Sequence, residues 1–375
     1  MKKITALLLV IIMSLAMFAG CANNESNSLE GKHVFMFKST GNTFGDLMYE
    51  GFEKYIKSQG GEAVYKSPAE TTVAAQVKLI EELIIQKVAS ITISTNGDAG
   101  YDEVFKKASN AGIKIVSVDS KASADARVTH IDPTRQSGIG SYLVQAATLI
   151  AMGIDYPEDG DLKKACDTAL ASYTGDEIKL GVLSASIDTP VQNGWIAKME
   201  EELTRDVYAG KVNKELDKKY GNDDLTVSTD QANAFIAENS VDVIISPTTI
   251  GMSAAGQALL SSGSSIKLTG LGLPSEMQNF MPKNSSDNAF DYVCPYMMLW
   301  DVIDLGYVSG AAAWHAFKGD YDGKAGSVIQ VPAYGEYSER TIKTEAHPDD
   351  DGTLIVVGDP YLFHKGNMQN WISKL

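Results

Sequence analysis

From residue 33 onward the chain alternates short apolar runs with amphipathic stretches, and it does so in two successive blocks. Residues 33–37 are an apolar run, and 46–58 carry Met48, Phe52, Tyr55 and Ile56 at helical spacing, with Asp46 as the expected N-cap. A strand at 63–65 and a helix at 71–87 follow, the helix presenting Val77, Ile80 and Ile84 on one face. Strands at 90–93 and 113–118 flank a further helix at 101–111. Strands joined through helices pair in parallel, and the helices cover both sheet faces, so this pattern predicts a doubly wound parallel sheet of the α/β class.

A polar, poorly patterned stretch at 152–177 interrupts the pattern, which restarts with a strand at 179–183, a helix through Trp195 to Leu203, and a strand at 241–245. Segments 88–96 and 241–249 are each a buried strand ending in hydroxyl residues, as two related domains would have. A chain of 375 residues is also longer than one hydrophobic core usually serves. Two doubly wound parallel-sheet domains are therefore expected.

The N-terminus has a different chemistry. Lys2 and Lys3 precede an apolar run at 7–18, then Ala19, Gly20, Cys21 and a polar stretch at 23–28. That run is shorter than the roughly 20 residues of a membrane span, so residues 1–20 read as a signal peptide. Ala19-Gly20-Cys21 resembles a bacterial lipobox, although Phe18 stands where leucine is commoner. The resemblance implies a diacylglyceryl group on Cys21 and a lipidated linker over 21–30; an ordinary signal peptide with an incidental cysteine is the other reading. A formal charge of −16 with no basic run excludes nucleic acid as a partner. Cys166 and Cys294 lie far apart and read as structural thiols, with a disulfide between them as the alternative in an oxidising compartment.

Ligands of open α/β sheets sit beyond the carboxyl ends of the strands, which here means the loops after Phe37, Ile93, Val118, Leu183, Ile245 and Leu271. Lys38 follows the first of these strands and Asp119 the fourth. A carboxylate accepts from two hydroxyls at once and an ammonium donates to ring or carbonyl oxygens, so the pair suits a polyol; a structural salt bridge is the competing role. Phe44 is placed to stack on an apolar sugar face or to pack internally. Gln192, Asn193 and Trp195 lie where a loop enters a helix, either facing an interdomain cleft or next to a cap made by Asp188 or Thr189. Tyr296, Trp300 and Asp301 follow an apparent strand at 290–293 and open a long helix at 300–317, as hinge or pocket residues; Asp301 equally suits the helix dipole. The acidic run at 349–352 lacks the ligands of a calcium loop and reads as a tight turn. There is no nucleotide-binding glycine fingerprint, nucleophile elbow or metal-spaced His or Cys pair, so neither enzyme chemistry nor a cofactor or metal is expected.

Gln192-Asn-Gly-Trp195, Leu299-Trp-Asp-Val302 and the ending at 354–367 resemble the type-1 periplasmic binding proteins of sugar transporters, in the branch of autoinducer-2 and rhamnose receptors, over 31–375. The resemblance implies a monomeric, extracytoplasmic binding protein, held to the membrane only by its lipid anchor, that delivers a small sugar-like ligand to an ABC transporter permease. It implies one lobe from 31–150 plus 294–319 and another from 175–293 plus 320–375, with hinge crossings near 150–175, 293 and 320. Autoinducer-2 receptors hold a hydrated five-membered ring with a lysine, an aspartate, an aspartate–glutamine pair, and a proline and alanine two apart. Lys38, Asp119, Gln192 and Pro247 match; Val191 stands in place of the second aspartate and Thr249 in place of the alanine. The implied ligand is autoinducer-2, with rhamnose, another deoxy-sugar or a pentose as the alternative and an exported hydrolase as a distant one. Transcription repressors of the same fold are set aside because no helix-turn-helix segment precedes the first strand.

Overall fold

The computed structural model describes residues 29–335 and 337–375; the leader and Cys21 lie outside the described residues. The first block comprises β1 (His33–Met36), α1 (Thr43–Ser58), β2 (Ala63–Tyr65), α2 (Val73–Ile85), β3 (Ser90–Ile93), α3 (Asp102–Asn110), β4 (Lys114–Val118) and β5 (His130–Asp132). The second comprises α4 (Gln136–Ala151), α5 (Leu162–Ala171), β6 (Leu180–Ser184), α6 (Pro190–Glu202), β7 (Asp217–Tyr220), α7 (Leu225–Glu238), β8 (Val243–Ser246), α8 (Thr249–Ser262) and β9 (Lys267–Gly270). Then come α9 (Pro274–Met277), β10 (Met297–Leu299), α10 (Val302–Lys318), β11 (Val328–Val331), β12 (Arg340–Lys343), β13 (Glu345–Ala346), β14 (Thr353–Val356) and β15 (Tyr361–Phe363).

The first sheet runs β13-β14-β5-β4-β3-β1-β2, parallel except for the edge strand β13, and the second runs β7-β6-β8-β9, all parallel. In both, the order reverses beside the first strand of the sheet, which opens a crevice at the carboxyl edge. Alternation along β1 shows why the first sheet needs helices on both faces. Val34 and Met36 join Ile80, Leu83, Val104 and Phe105 of α2 and α3, whereas Phe35 joins Phe52, Tyr55 and Ile56 of α1. Helices α1 and α10 pack backbone to backbone on that second face. A Cβ on Gly51 would lie 1.8 Å from the Ile303 carbonyl oxygen, and one on Gly306 would lie 1.8 Å from that of Met48.

Several expectations are corrected by this arrangement. Helix α1 starts a turn earlier than the apolar spacing suggests, because Asn42 caps it, accepting from the backbone N–H of Phe44 and Gly45; Asp46 lies inside the first turn. The polar stretch at 152–177 contains α5, which buries Leu162, Cys166 and Leu170 on one narrow face. Residues 290–293 are no strand: a 3₁₀ turn spans Ala289–Asp291 and the strand comes later, as β10. The acidic run at 349–352 lies in the connection between the antiparallel β13 and β14.

The lobe boundaries also move. Helix α4 packs on α6, β8 and β9, so the chain leaves the first lobe at 133–135 rather than after residue 150. Segment 320–356 belongs with the first lobe, because β14 pairs in parallel with β5 through Leu354 and His130. The chain returns at 357–360; β15 then pairs with β10, which is bridged to Leu271 beside β9, and the Leu375 carbonyl accepts from the Ser275 N–H. The three crossings are thus 133–135, 300–301 and 357–360. Cys166 and Cys294 are both buried free thiols.

Two outcomes follow from the packing. Gly306→Ala forces α1 and α10 apart and is expected to cost about 2 to 3 kcal/mol in urea unfolding. His33 is buried with Nδ1 2.8 Å from Ser90 Oγ, and burial pushes its pKa down to about 4. The unfolded chain takes up that proton near pH 6.5, so stability present above this pH is lost as pH falls toward about 4. His33→Gln is expected to remove up to about 3 kcal/mol of that decline in a pH series of melts.

Candidate functional site

The carboxyl edges of the two sheets face each other across a pocket lined by residues of both. From the first lobe, Lys38 follows β1 and Asp119 follows β4, both at least 95 % buried. Lys38 Nζ lies 3.1 Å from Asp119 Oδ2, which also accepts from Ser94 Oγ at 2.9 Å. Asp119 holds a left-handed backbone (φ +61°), a conformation Asp tolerates better than most side chains. Its neighbour in the crevice, Asn96, pins the start of the loop by donating from Nδ2 to the Lys38 carbonyl at 2.8 Å.

The second lobe answers with amide and hydroxyl groups. Gln192, in the first turn of α6, accepts from Lys38 Nζ at 3.5 Å through Oε1 and donates from Nε2 to the Pro247 carbonyl at 3.3 Å. Thr248, after β8, donates from Oγ1 to Asp223 Oδ1 at 2.7 Å. Asp223 follows β7 and, like Asp119, sits in the left-handed region (φ +51°).

Aromatic rings complete the wall. Trp195 of the second lobe and Trp300 of the crossing before α10 have ring centroids 5.6 Å apart, and Phe44 meets Trp300 edge-on at 6.1 Å. Both indoles line the pocket, and both Nε1–H groups are buried without a protein acceptor. An unmatched buried donor costs about 1 to 3 kcal/mol.

Of the residues singled out in the sequence, Lys38, Phe44, Asp119, Gln192, Trp195, Pro247, Thr249 and Trp300 all line this one pocket. Val191 does not: its side chain points into the apolar core beside Gln192. Asp301 does not either. It caps α10 by accepting from the Asp304 N–H, accepts from the Tyr337 hydroxyl, and lines a separate cavity where the three crossings meet. Tyr296 is buried away from the pocket, its hydroxyl donating to the Ala146 and Ile154 carbonyls. Asn42, Asp223 and Thr248 line the pocket without having been singled out, and Phe37, Leu271 and Leu299, named only as strand ends or within a motif, line it too. The loop bearing Asp223 follows the strand Asp-Lys-Lys-Tyr, which has no apolar run to mark it.

The buried pair makes a direct test possible. Lys38→Met leaves Asp119 as an uncompensated buried charge and is expected to cost about 3 to 5 kcal/mol of stability. Combining it with Asp119→Asn, which removes the charge, still accepts from Ser94 and suits the left-handed backbone, restores most of that stability in denaturant unfolding without restoring the ion pair.

Residues 33–320 match the periplasmic binding protein domain family. An ABC transporter solute binding protein from Clostridium phytofermentas, solved with bound L-rhamnose, shares 30 % identity over 92 % of this chain and 98 % of its own, with a TM-score of 0.76. LsrB from Clostridium saccharobutylicum, in complex with AI-2, superposes with the same TM-score of 0.76 at 22 % identity over 91 % of this chain and 99 % of its own. A solute binding protein from Burkholderia graminis in complex with D-arabinose has a TM-score of 0.64 at 16 % identity, over 92 % of this chain and 99 % of its own. The paired parallel sheets, the interlobe pocket and these matches agree: the chain belongs to the periplasmic binding protein domain family and has the type-1 fold of ABC transporter solute-binding proteins.

Proposed function

We propose that this protein is an exported receptor, anchored through Cys21 to the outer face of the cell membrane, that binds a neutral monosaccharide between its lobes and delivers it to an ABC transporter permease without chemical change. The observation that carries the reading is that two indoles with buried, unpartnered N–H groups line the same pocket as the Lys38–Asp119 pair. Donors, a carboxylate and flat apolar rings in one pocket are what a sugar's hydroxyls and C–H faces require. Contacts to both lobes stabilise the closed form, so closure about the hinge is driven by the ligand's preference for that form.

A 6-deoxyhexose such as L-rhamnose is the first candidate. Phe44, Leu271 and Leu299 provide an apolar wall for a methyl group, and the rhamnose-bound relative is the more similar of the two compared above. Autoinducer-2 is the second, favoured by Lys38, Asp119, Gln192 and Pro247 standing together on the pocket wall. Val191 weakens that reading, since it brings no carboxylate to the pocket.

Residues 22–375 are to be titrated with L-rhamnose, pentoses and the autoinducer-2 precursor by calorimetry and by tryptophan fluorescence, to which Trp195 and Trp300 of the pocket contribute two of the chain's four indoles. Saturable binding of L-rhamnose at about micromolar Kd, with silence toward the precursor, is the expected result. The reverse pattern makes the protein a signal receptor. Absence of binding, or turnover of any of these compounds, sinks the proposal.

A further inference from the structure

The two carboxylates lining the pocket differ in their surroundings. Asp119 is neutralised by Lys38, the one cationic side chain that the described residues bring to the pocket wall, and takes a further hydrogen bond from Ser94. Asp223 is about nine-tenths buried, yet among the described residues no cation pairs with it, and its one side-chain hydrogen bond is from Thr248 to Oδ1. A buried carboxylate left with one partner retains acceptor sites for several more donors.

Its position is held from several sides. The Gly221 N–H donates to the Ser184 carbonyl and the Asn222 N–H to the Ala185 carbonyl, which ties the loop to the end of β6. Asp224, the next residue, caps α7 by accepting from the Val227 N–H. A Cβ at Gly221 would fall 2.1 Å from Ser228 Oγ, so the loop passes the helix at a distance only glycine permits. Asn222 and Asp223 both take the left-handed conformation, which directs Asp223 to the boundary between the inner pocket and the wider mouth of the cleft. Asn42 of the first lobe and Thr249 of the second line that same boundary.

We propose that Asp223 is the specificity-determining carboxylate of the second lobe. It accepts hydrogen bonds from hydroxyls on the ligand edge nearest the cleft mouth and, being unneutralised, excludes sugars that carry a carboxylate or phosphate. The inference rests on the sugar-binding reading and assigns to it a ligand class: a neutral ring with hydroxyls on that edge. With Asp119 and Lys38 cancelling, a charge of −1 remains on the pocket wall, and like charge brought into such a site has no counter-ion to offset its desolvation.

The test compares the mature chain, Asp223→Asn and Thr248→Val against L-rhamnose, D-arabinose, the autoinducer-2 precursor and D-galacturonate. Asparagine also tolerates the left-handed backbone, so the unliganded melting temperature is expected to be unchanged. Asp223→Asn is expected to weaken the neutral ligand on the order of tenfold or more. Thr248→Val, which frees the carboxylate without removing it, is expected to weaken it less, and D-galacturonate is expected not to bind the unsubstituted chain. With analogues lacking one hydroxyl at a time, Asp223→Asn and the unsubstituted chain converge for the hydroxyl that Asp223 holds; a merely structural role weakens every analogue alike and overturns the inference. Binding of D-galacturonate as tight as that of the neutral sugar also overturns it. If the unsubstituted chain binds a sugar and Asp223→Asn binds it within twofold, this inference fails alone. If the unsubstituted chain binds none of the sugars, the functional reading fails and takes this inference with it. Should Asp223→Asn not fold, Thr248→Val decides: equal affinity for every neutral sugar overturns the inference.

Discussion

The pocket is organised around the buried Lys38–Asp119 pair. Removing two charges from water costs several kcal/mol each, and only close contact with further hydrogen bonding recovers it. The parallel sheet supplies both. Strands β1 and β4 flank β3, so their ends reach toward each other across the end of β3, and Ser94 of β3's own loop donates to the same carboxylate oxygen. Asp119 reaches the lysine from the left-handed backbone conformation that follows β4. The result is a first-lobe wall with strong donors and acceptors but no net charge. Gln192 meets that wall from the second lobe through the same ammonium, so lobe contact and pocket polarity depend on one group.

The parallel-sheet architecture was legible because strands buried on both faces must be apolar throughout, and those runs stand out between polar loops. Lys38 and Asp119 followed from that, since a residue directly after such a strand has only one edge to occupy. Less accessible were features whose signal lies elsewhere in the chain. The edge strand β7 is charged and half-exposed, so it carries no apolar run, and the loop bearing Asp223 was overlooked with it. Residues 354–357 are an apolar run, but nothing local says that the strand they form pairs with β5, more than 200 positions earlier. Lobe membership after residue 320 rests on that long-range pairing, which no local pattern announces. Val191 illustrates the converse: the family resemblance put it at the site, in the place of an aspartate, and the helix turns its side chain into the core.

Trp300 links the pocket to the hinge. It lines the ligand pocket beside Trp195 and also the cavity where the crossings meet, together with Pro133, Asp301, Tyr337, Arg340 and Tyr361. Around it, Tyr337 donates to Asp301 and Arg340 to Asp304, so the β11–β12 hairpin is fastened to the start of α10. Burial pushes the Asp304 carboxyl above its ordinary range, with Arg340 opposing the shift. Any rotation of the lobes about the crossings repacks this indole and its polar surround at the same time as it opens the pocket.

The late strand β14 has a consequence for how the molecule is made. A chain that emerges N-terminus first presents β1 to β5 within its first 132 residues, but the strand that covers β5 arrives only at residues 353–356. Until then β5 remains an open edge with unpaired backbone groups, while the helices and strands from Gln136 to Gly270 form a nearly contiguous unit. Most of the second lobe is thus able to assemble during synthesis, but each lobe is completed only near the end of the chain, the first by β14 and, after it, the second by β15 and the Leu375 carbonyl. Helper proteins that shield nascent β5 would have an occupancy time set by more than 200 residues of elongation, and a chain truncated before β14 would retain an adhesive edge next to an otherwise formed sheet.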